Sequence, residues 1–332
     1  MRFHRPDGSP VFGPRGRSIE RLKALRAWSS RVGDPSLARV LDWWLPASSG
    51  ESSEIPAAPP LPSDSRADRP LAVLRPDWTP RGDLVAVDHR EPGSRSLIEV
   101  SSKGQTWLGP TWDSPTLVGK AGQALPTYWS TGAFADCLEW SYRVGRGRTT
   151  RVAVLLRGRG MALLGQQDEG GGPVSEIRLA LPEGIEATPS EASRSMILSA
   201  GRGKPTARLL PLGLPSHDLP TDRGSMVVEG REVVVRQSSE GRRRWVSLLV
   251  AWEKPPTLWR TLTVASRSAI CPPEVASASR VGWGPGNEGL VIYRSLAPPD
   301  LRNFLGHQTK ARFVIGSFSR SGDLRPLLKV EA

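Results

Sequence analysis

Residues 225–252 read SMVVEGREVVVRQSSEGRRRWVSLLVAW, and this stretch decides the fold. It holds three apolar words: SMVVEG (225–230), REVVVRQ (231–237) and WVSLLVAW (245–252). The turn pair Glu229-Gly230 and a Ser/Glu/Gly/Arg segment separate them. Val is stiff at χ1 and packs well on a pleated surface, so Val-rich words of this length predict strands. Similar words lie upstream: LAVLR (71–75), DLVAVDH (83–89), SLIEVS (96–101), CLEWSYRV (137–144), RVAVLLR (151–157) and GMALLGQQ (160–167). LVIYRSL (290–296) and ARFVIGSF (311–318) lie downstream. Many alternate, as Leu84, Ala86 and Asp88 do against Val85, Val87 and His89. No segment of helical spacing interrupts 71–332. The expected architecture is mainly β, a large antiparallel multi-sheet β-sandwich of well over a dozen strands. An ordinary sandwich needs only about 100 residues, and the absence of a fixed period speaks against a propeller.

Composition agrees with this. Gly (34) and Pro (31) make about a fifth of the 332 residues, and both break helix interiors. The formal charge is +12, from 45 basic and 33 acidic residues. The basic set is 38 Arg and 7 Lys. Arg offers a planar fork for carboxylate, phosphate and sulfate, although a GC-rich genome also favours Arg. The charge therefore permits an anionic partner without demanding one. Cys137 and Cys271 are the only cysteines and have no ligand-spaced Cys or His beside them. They read as core thiols, with a long-range disulfide as the alternative, and no structural metal is expected. Neither a signal peptide nor a membrane span is legible in the chain, so a cytoplasmic protein without a membrane partner is expected.

Three zones are expected. Residues 1–16 form an extended Pro/Gly/Arg-rich arm, and 17–46 form a short helical hairpin. Ile19, Leu22, Leu25, Trp28 and Val32 mark the first helix, Gly33 its stop, and Asp34-Pro35 the start of a second helix through Leu37, Val40, Leu41 and Trp44. Residues 47–70 are Ser/Pro/Ala/acid-rich and read as a flexible linker, because such a composition cannot offset chain entropy. The β-domain then occupies 71–332.

Nucleotide motifs fail on context. Gly284-Pro285-Gly286-Asn287-Glu288-Gly289 matches G-x-G-x-x-G but leads into the strand LVIYRSL rather than a helix, so it reads as a hairpin turn. Gly201-Arg202-Gly203-Lys204 lacks the remainder of a P-loop. No cofactor is expected. Of the four histidines, His4 lies in the arm, His217 in a Pro-bounded loop and His307 at a turn. His89 ends a strand beside Asp88, the position of a general base or a ligand, and equally of a locally bonded histidine. Arg143, Arg146, Arg148 and Arg151, then Arg157 and Arg159, then Arg242, Arg243 and Arg244 read as solvated strand ends. Trp107, Trp112, Tyr128, Trp129 and Trp140 suit either a core or a sugar-stacking platform. Among them Trp107, Trp112 and Trp129 are the binding candidates.

The run Leu74–His89 resembles the opening strands of the β-domain of heparinase II/III-like polysaccharide lyases. SLIEVSSKGQTWLGP (96–110), the Asp136-Cys137-Leu138-Glu139-Trp140 word and Thr149–Arg157 are similar to later strands of that domain. The likeness covers about 71–332 and implies a supersandwich. Lyases of this family carry a catalytic helical toroid before the β-domain, where this chain has only 17–46. Their His-x-His-type loop is replaced here by Asp88-His89-Arg90-Glu91-Pro92-Gly93-Ser94-Arg95. The resemblance thus implies a non-catalytic protein that binds an acidic polysaccharide or a protein partner. The alternatives are a degenerate or trans-complemented lyase using His89, Arg90, Arg95 and Tyr142, and a nucleic-acid binder resting on charge alone.

Overall fold

The computed structural model describes residues 5, 9–13, 19–35, 38, 41–42, 45, 63–65, 70–77, 79, 81–90, 95–115, 121–214, 223–267, 269–283, 289–319 and 321–331. Four antiparallel sheets build it. In the nine-stranded sheet, β1 (Asp64–Ser65), β2 (Leu71–Leu74), β3 (Leu84–Asp88), β4 (Ser96–Ser102), β6 (Thr111–Asp113), β11 (Val174–Ala180), β16 (Glu232–Ser238) and β15 (Gly224–Glu229) lie side by side in that order. Its remaining strand, β5 (Gln105–Leu108), pairs with β4. The eight-stranded sheet runs β12 (Glu186–Pro189), β13 (Met196–Ser199), β14 (Thr206–Pro211), β17 (Arg243–Ala251), β10 (Met161–Glu169), β9 (Gly147–Leu156), β8 (Ala135–Val144) and β7 (Leu125–Thr131). A five-stranded sheet follows, of β18 (Leu258–Leu262), β21 (Ala276–Gly282), β22 (Gly289–Ser295), β25 (Phe313–Phe318) and β26 (Leu324–Val330). The smallest has four: β20 (Ala269–Ile270), β19 (Ala265–Ser266), β23 (Arg302–Phe304) and β24 (His307–Thr309).

Shared cores place these sheets in layers. Val85, Val87, Ile98, Trp107 and Trp112 of the nine-stranded sheet pack on Leu138, Trp140, Ala153, Leu164, Val246 and Leu248 of the eight-stranded sheet. The intervening residues of the same eight-stranded sheet, among them Cys137, Val152, Val154 and Leu163, pack on Trp259, Ile292, Phe313 and Ile315 of the five-stranded sheet. The opposite face of that sheet meets the smallest one through Val291, Tyr293, Val314 and Phe304. The eight-stranded sheet is therefore buried on both faces, which explains why β9 and β10 read as nearly continuous apolar runs. Cys137 lies inside this second core and Cys271 is half-buried; both are free thiols. Burial, then Glu139, push the Cys137 thiol up.

The hairpin expected from Gly284–Gly289 joins β21 to β22, which pair Gly282 with Gly289; residues 284–288 lie outside the described residues. Gly201 and Gly203 take left-handed φ angles of 120° and 73° in the turn between β13 and β14.

The N-terminal region departs from expectation. Helix α1 (Ile19–Arg31) forms, and Gly33 (φ 68°) ends it, with Asp34 N–H donating to Ser29 O. Its expected apolar stripe is split, however: Leu22 is buried, whereas Trp28 and Val32 are exposed. Pro35, Ala38, Leu41 and Asp42 are helical, Leu41 is fully buried, and Asp42 pairs with Arg26. Leu37, Val40 and Trp44 lie outside the described residues, as do 47–62 and 66–69 of the expected linker. Asp64–Ser65 within that stretch is strand, paired with Ala72 and Val73. Part of the arm is packed rather than extended free. Val11 and Phe12 cover Val73, Leu84 and Ala86 on the outer face of the nine-stranded sheet. Arg5, buried there, forks onto Glu99 at 2.5 and 2.8 Å, and Phe12 N–H donates to the same carboxylate. A buried carboxylate is tolerated only when paired and hydrogen-bonded, and the arm supplies both.

Candidate functional site

Register collects several loops at one end of the sandwich. In the nine-stranded sheet, Asp88 lies opposite Leu97, Ser96 opposite Trp112, Asp113 opposite Arg178 and Val174 opposite Ser238. In the eight-stranded sheet, Val144 faces Gly147, Arg148 faces Glu169, and Glu169 faces Arg243. Hydrogen bonds between the two sheets lock these ends together. Arg151 Nη1 donates to Ser96 Oγ at 2.9 Å and Gln166 Nε2 to Ser114 Oγ at 2.6 Å. Asp168 accepts from Ser175 Oγ of the facing sheet and, within its own sheet, from Thr149 Oγ1 at 2.7 Å.

The loops and adjoining strand ends here carry Arg90, Arg95, Arg143, Arg146, Arg148 and Arg242, all exposed. Arg143, Arg146 and Arg242 make no ion pair among the described residues. The carboxylates nearby are largely spent: Asp88 is held by Arg90, and Glu169 by Arg243 at 3.1 Å; Asp113 and the exposed Glu240 remain. The result is an arginine rim. Beside its 238–243 turn opens a cleft of about 820 Å³, lined among others by Gln237, Ser239, Glu240, Thr261 and Ile270.

Beneath the rim lies a chain of aromatic and cationic contacts. The His89 ring stacks on Trp140, with centroids 5.8 Å apart and planes at 23°. Trp112 meets Trp140 edge-on at 5.5 Å. The Arg151 guanidinium sits over Trp112 at 4.9 Å and Tyr142 at 5.4 Å. These side chains are buried: His89 is 2% exposed, Tyr142 3%, and Trp112, Trp140 and Arg151 0%. Neither ring nitrogen of His89, nor Nε1 of Trp112 or Trp140, has a hydrogen-bond partner among the described residues. Burial holds His89 down to about 4, with Asp88 opposing weakly. Burial likewise raises the Tyr142 hydroxyl, against the pull of Arg151.

The residues singled out in the sequence are thus only partly gathered. His89 and Tyr142 share one buried cluster, linked through Trp140, Trp112 and Arg151, while Arg90 and Arg95 stand in the rim above it. Trp107 and Trp112 cannot form a sugar-stacking platform, because both are fully buried in the core between the two largest sheets. Trp129 is half-buried against the same core. Arg151 and Arg244, expected at solvated strand ends, are buried as well. Arg151 is held by Ser96, Gln166 and the Trp112 carbonyl, Arg244 by Gly170 and Gly241 carbonyls and Ser175. Arg157 binds Asp136 at 2.8 Å. His307 opens β24, its Nε2 bonded to Gly322 O, rather than occupying a turn. His4 and His217 lie outside the described residues.

Sequence reading missed Glu139. It faces the five-stranded sheet and is clamped by Arg294 at 2.6 Å and by Arg312, with Thr127 donating at 2.8 Å. Burial works against its charge, but the two arginines outweigh it and hold the carboxyl below its ordinary range. No local signal could have named partners that lie 155 and 173 positions along the chain. No group of three or more His, Cys, Asp or Glu able to hold a metal occurs among the described residues, and none of their helices is long and apolar enough to cross a membrane.

No protein-family profile matches the chain, and no curated protein does. Solved structures do. Heparan sulfate lyase HepC from Pedobacter heparinus is 12% identical with a TM-score of 0.59, over 89% of this chain and 51% of that one. A mutant of that lyase gives 11% and 0.59 over 96% and 51%. A heparinase III with methylated lysines gives 12% and 0.57 over 96% and 50%. The chain spans about half the length of the solved structures it matches. Over most of its own length it has their β-rich fold.

Proposed function

We propose that this chain is a heparinase-like β-sandwich protein that binds an acidic polysaccharide through the arginine rim, without catalysing its cleavage. The observation that carries this reading is the convergence of exposed arginines from three loops, drawn from both large sheets, on one end of the sandwich. Arg forks match sulfate and carboxylate geometry, and loops on a rigid scaffold are the usual carriers of binding. Two findings support a non-catalytic role. His89, the one base candidate in this region, is buried, uncharged at neutral pH and stacked on Trp140. Tyr142 is buried with its hydroxyl pushed toward the protonated form. A general base needs reach to its proton and a pKa near the working pH.

The test is binding of heparin to the full chain across a salt series, with Arg143→Glu/Arg146→Glu as control. Salt-sensitive binding that the double variant loses is the expected result; binding that ignores these substitutions overturns the rim as the site. The likeness to two lyases favours a second reading, a lyase completed in trans. Incubation with heparan sulfate and monitoring of ultraviolet absorbance from unsaturated products checks it: activity abolished by His89→Ala would replace the binding-only reading. A protein partner or a nucleic acid on the same rim would show instead as tighter capture of an acidic protein or a DNA duplex than of heparin at equal salt.

A further inference from the structure

Between the aromatic cluster and the rim stands His89, whose ring is sealed from solvent while its chain neighbour Arg90 is exposed through 65% of its side chain. A neutral imidazole has one donor and one acceptor, whereas an imidazolium has two donors and a charge. Neither nitrogen has a partner in the stacked position. Asp88 is the charged neighbour whose field favours a protonated ring, against burial. Asp88 is already committed through both oxygens to Arg90. Arg151 of β9 and Tyr142 of β8 stand further along the cluster, Arg151 lying over Trp112, which meets Trp140; Arg95 is exposed just before β4. A positive charge on this ring would be buried and without a hydrogen-bond acceptor, which is a costly arrangement. The backbone has no need to move, because His89 N–H stays bonded to Pro70 O at 2.9 Å. His89 lies one residue beyond the end of β3 and directly before exposed Arg90, so the surface is one residue along the chain.

We infer that His89 is an acid-responsive element of the arginine rim, leaving its stack on Trp140 when protonated and adding a cation to the surface that holds the polyanion. This rests on the anionic-polysaccharide reading above and names its regulation. Linkage makes the effect reciprocal: if acid tightens polyanion binding through His89, the polyanion must favour protonation of His89.

Dextran sulfate is the probe, because its sulfate groups keep their charge between pH 7.5 and 3.5, a range that spans the titration of His89. Its affinity is measured at constant ionic strength for the full chain and for His89→Phe, which keeps a ring against Trp140 but cannot charge. On acidification the wild-type affinity should rise roughly two- to five-fold more than that of the variant, the value of one exposed ion pair. Carboxylates that titrate in this range are common to both proteins and cancel in the comparison. Equal pH dependence in two proteins that both bind overturns the inference. Failure of the wild type to bind dextran sulfate at either pH instead overturns the rim reading. If His89→Phe does not fold, the imidazole proton resonances of the wild-type chain decide. The histidine that titrates at the lowest pH should shift its midpoint upward when dextran sulfate is added, and an unmoved midpoint overturns the switch.

Discussion

Strand β3 is flanked by two titratable groups withdrawn from solvent, half-buried Asp83 before Leu84 and buried His89 after Asp88, and the two ends are fastened in different ways. At the Asp83 end the link between the large sheets is a hydrogen bond, Trp252 Nε1 donating to Asp83 Oδ1 at 2.8 Å. Burial pushes that carboxyl up to about 6, with the Trp252 bond pulling the other way and Glu253 adding to the rise. At the other end, where Arg151–Ser96 and Gln166–Ser114 bonds join the sheets, His89 itself meets the partner sheet only by a ring stack with no polar bond from the imidazole, and burial pulls its value down to about 4. A polar link is tied to one partner and one geometry. A stack is indifferent to direction and can be left by a side-chain rotation. The titratable group held by stacking is the one at the end that carries the exposed arginines.

The two groups answer acid with opposite signs. Asp83 has a folded value above its ordinary one, so the stability it contributes is complete in acid and is lost as pH rises through about 6. His89 has a folded value below its ordinary one, so its contribution is complete above about 6.5 and is lost as pH falls through about 4. Between these limits acidification should firm one end of β3 and loosen the other.

The sharpest way to break the contrast is Trp140→Ala. Removing a fully buried indole should cost about 3–5 kcal/mol in denaturant unfolding and let His89 titrate near its ordinary value, whereas Asp83 should keep its raised one. A single shared shift in both groups would mean that the ends are not independent. Next in size is Trp252→Phe, which leaves the Asp83 carboxylate without its donor. We predict a loss of about 1–3 kcal/mol at pH 7.5 and a distinctly smaller one at pH 5, where the carboxyl is protonated; an equal loss at both would contradict the assignment. Asp83→Asn should stabilise the protein by about 1 kcal/mol at pH 7.5 and not at pH 4.5, because it removes only the penalty of a partly buried charge; thermal melts at the two pH values check this. Smallest for folding is Arg143→Glu/Arg146→Glu, expected within about 0.5 kcal/mol of wild type as surface changes. A much larger loss would show that these arginines serve the fold rather than a partner.

Much of the architecture was legible because strand signals are local. The alternation in DLVAVDH and the glycines after Glu229 and at Gly201 need only their neighbours to be read. What the alternation concealed is that both sides of β3 are covered: Val85 and Val87 face the core, while Leu84 and Ala86 lie under Val11 and Phe12 of the arm. That cover, and the Arg5–Glu99 pair beneath it, joins residues 94 positions apart. The site was half legible for the same reason. Arginines at turn positions were visible as clusters, but their gathering at one end depends on pairing register. The tryptophans near 107–140 carried no sign of which face they would take, since a Trp suits a core and a platform equally. His89 could be placed at a strand end, but its stack on Trp140 could not.

The eight-stranded sheet has a consequence for how the molecule comes apart. Alternate residues of β8, β9, β10 and β17 belong to two different cores, so neither core can melt while these strands keep their pairing, and neither survives its loss. The sandwich should therefore open as one cooperative unit through this middle layer. Amide hydrogens of β9 and β10 should be the last to exchange with solvent, and those of the outlying β1 and β20 among the first.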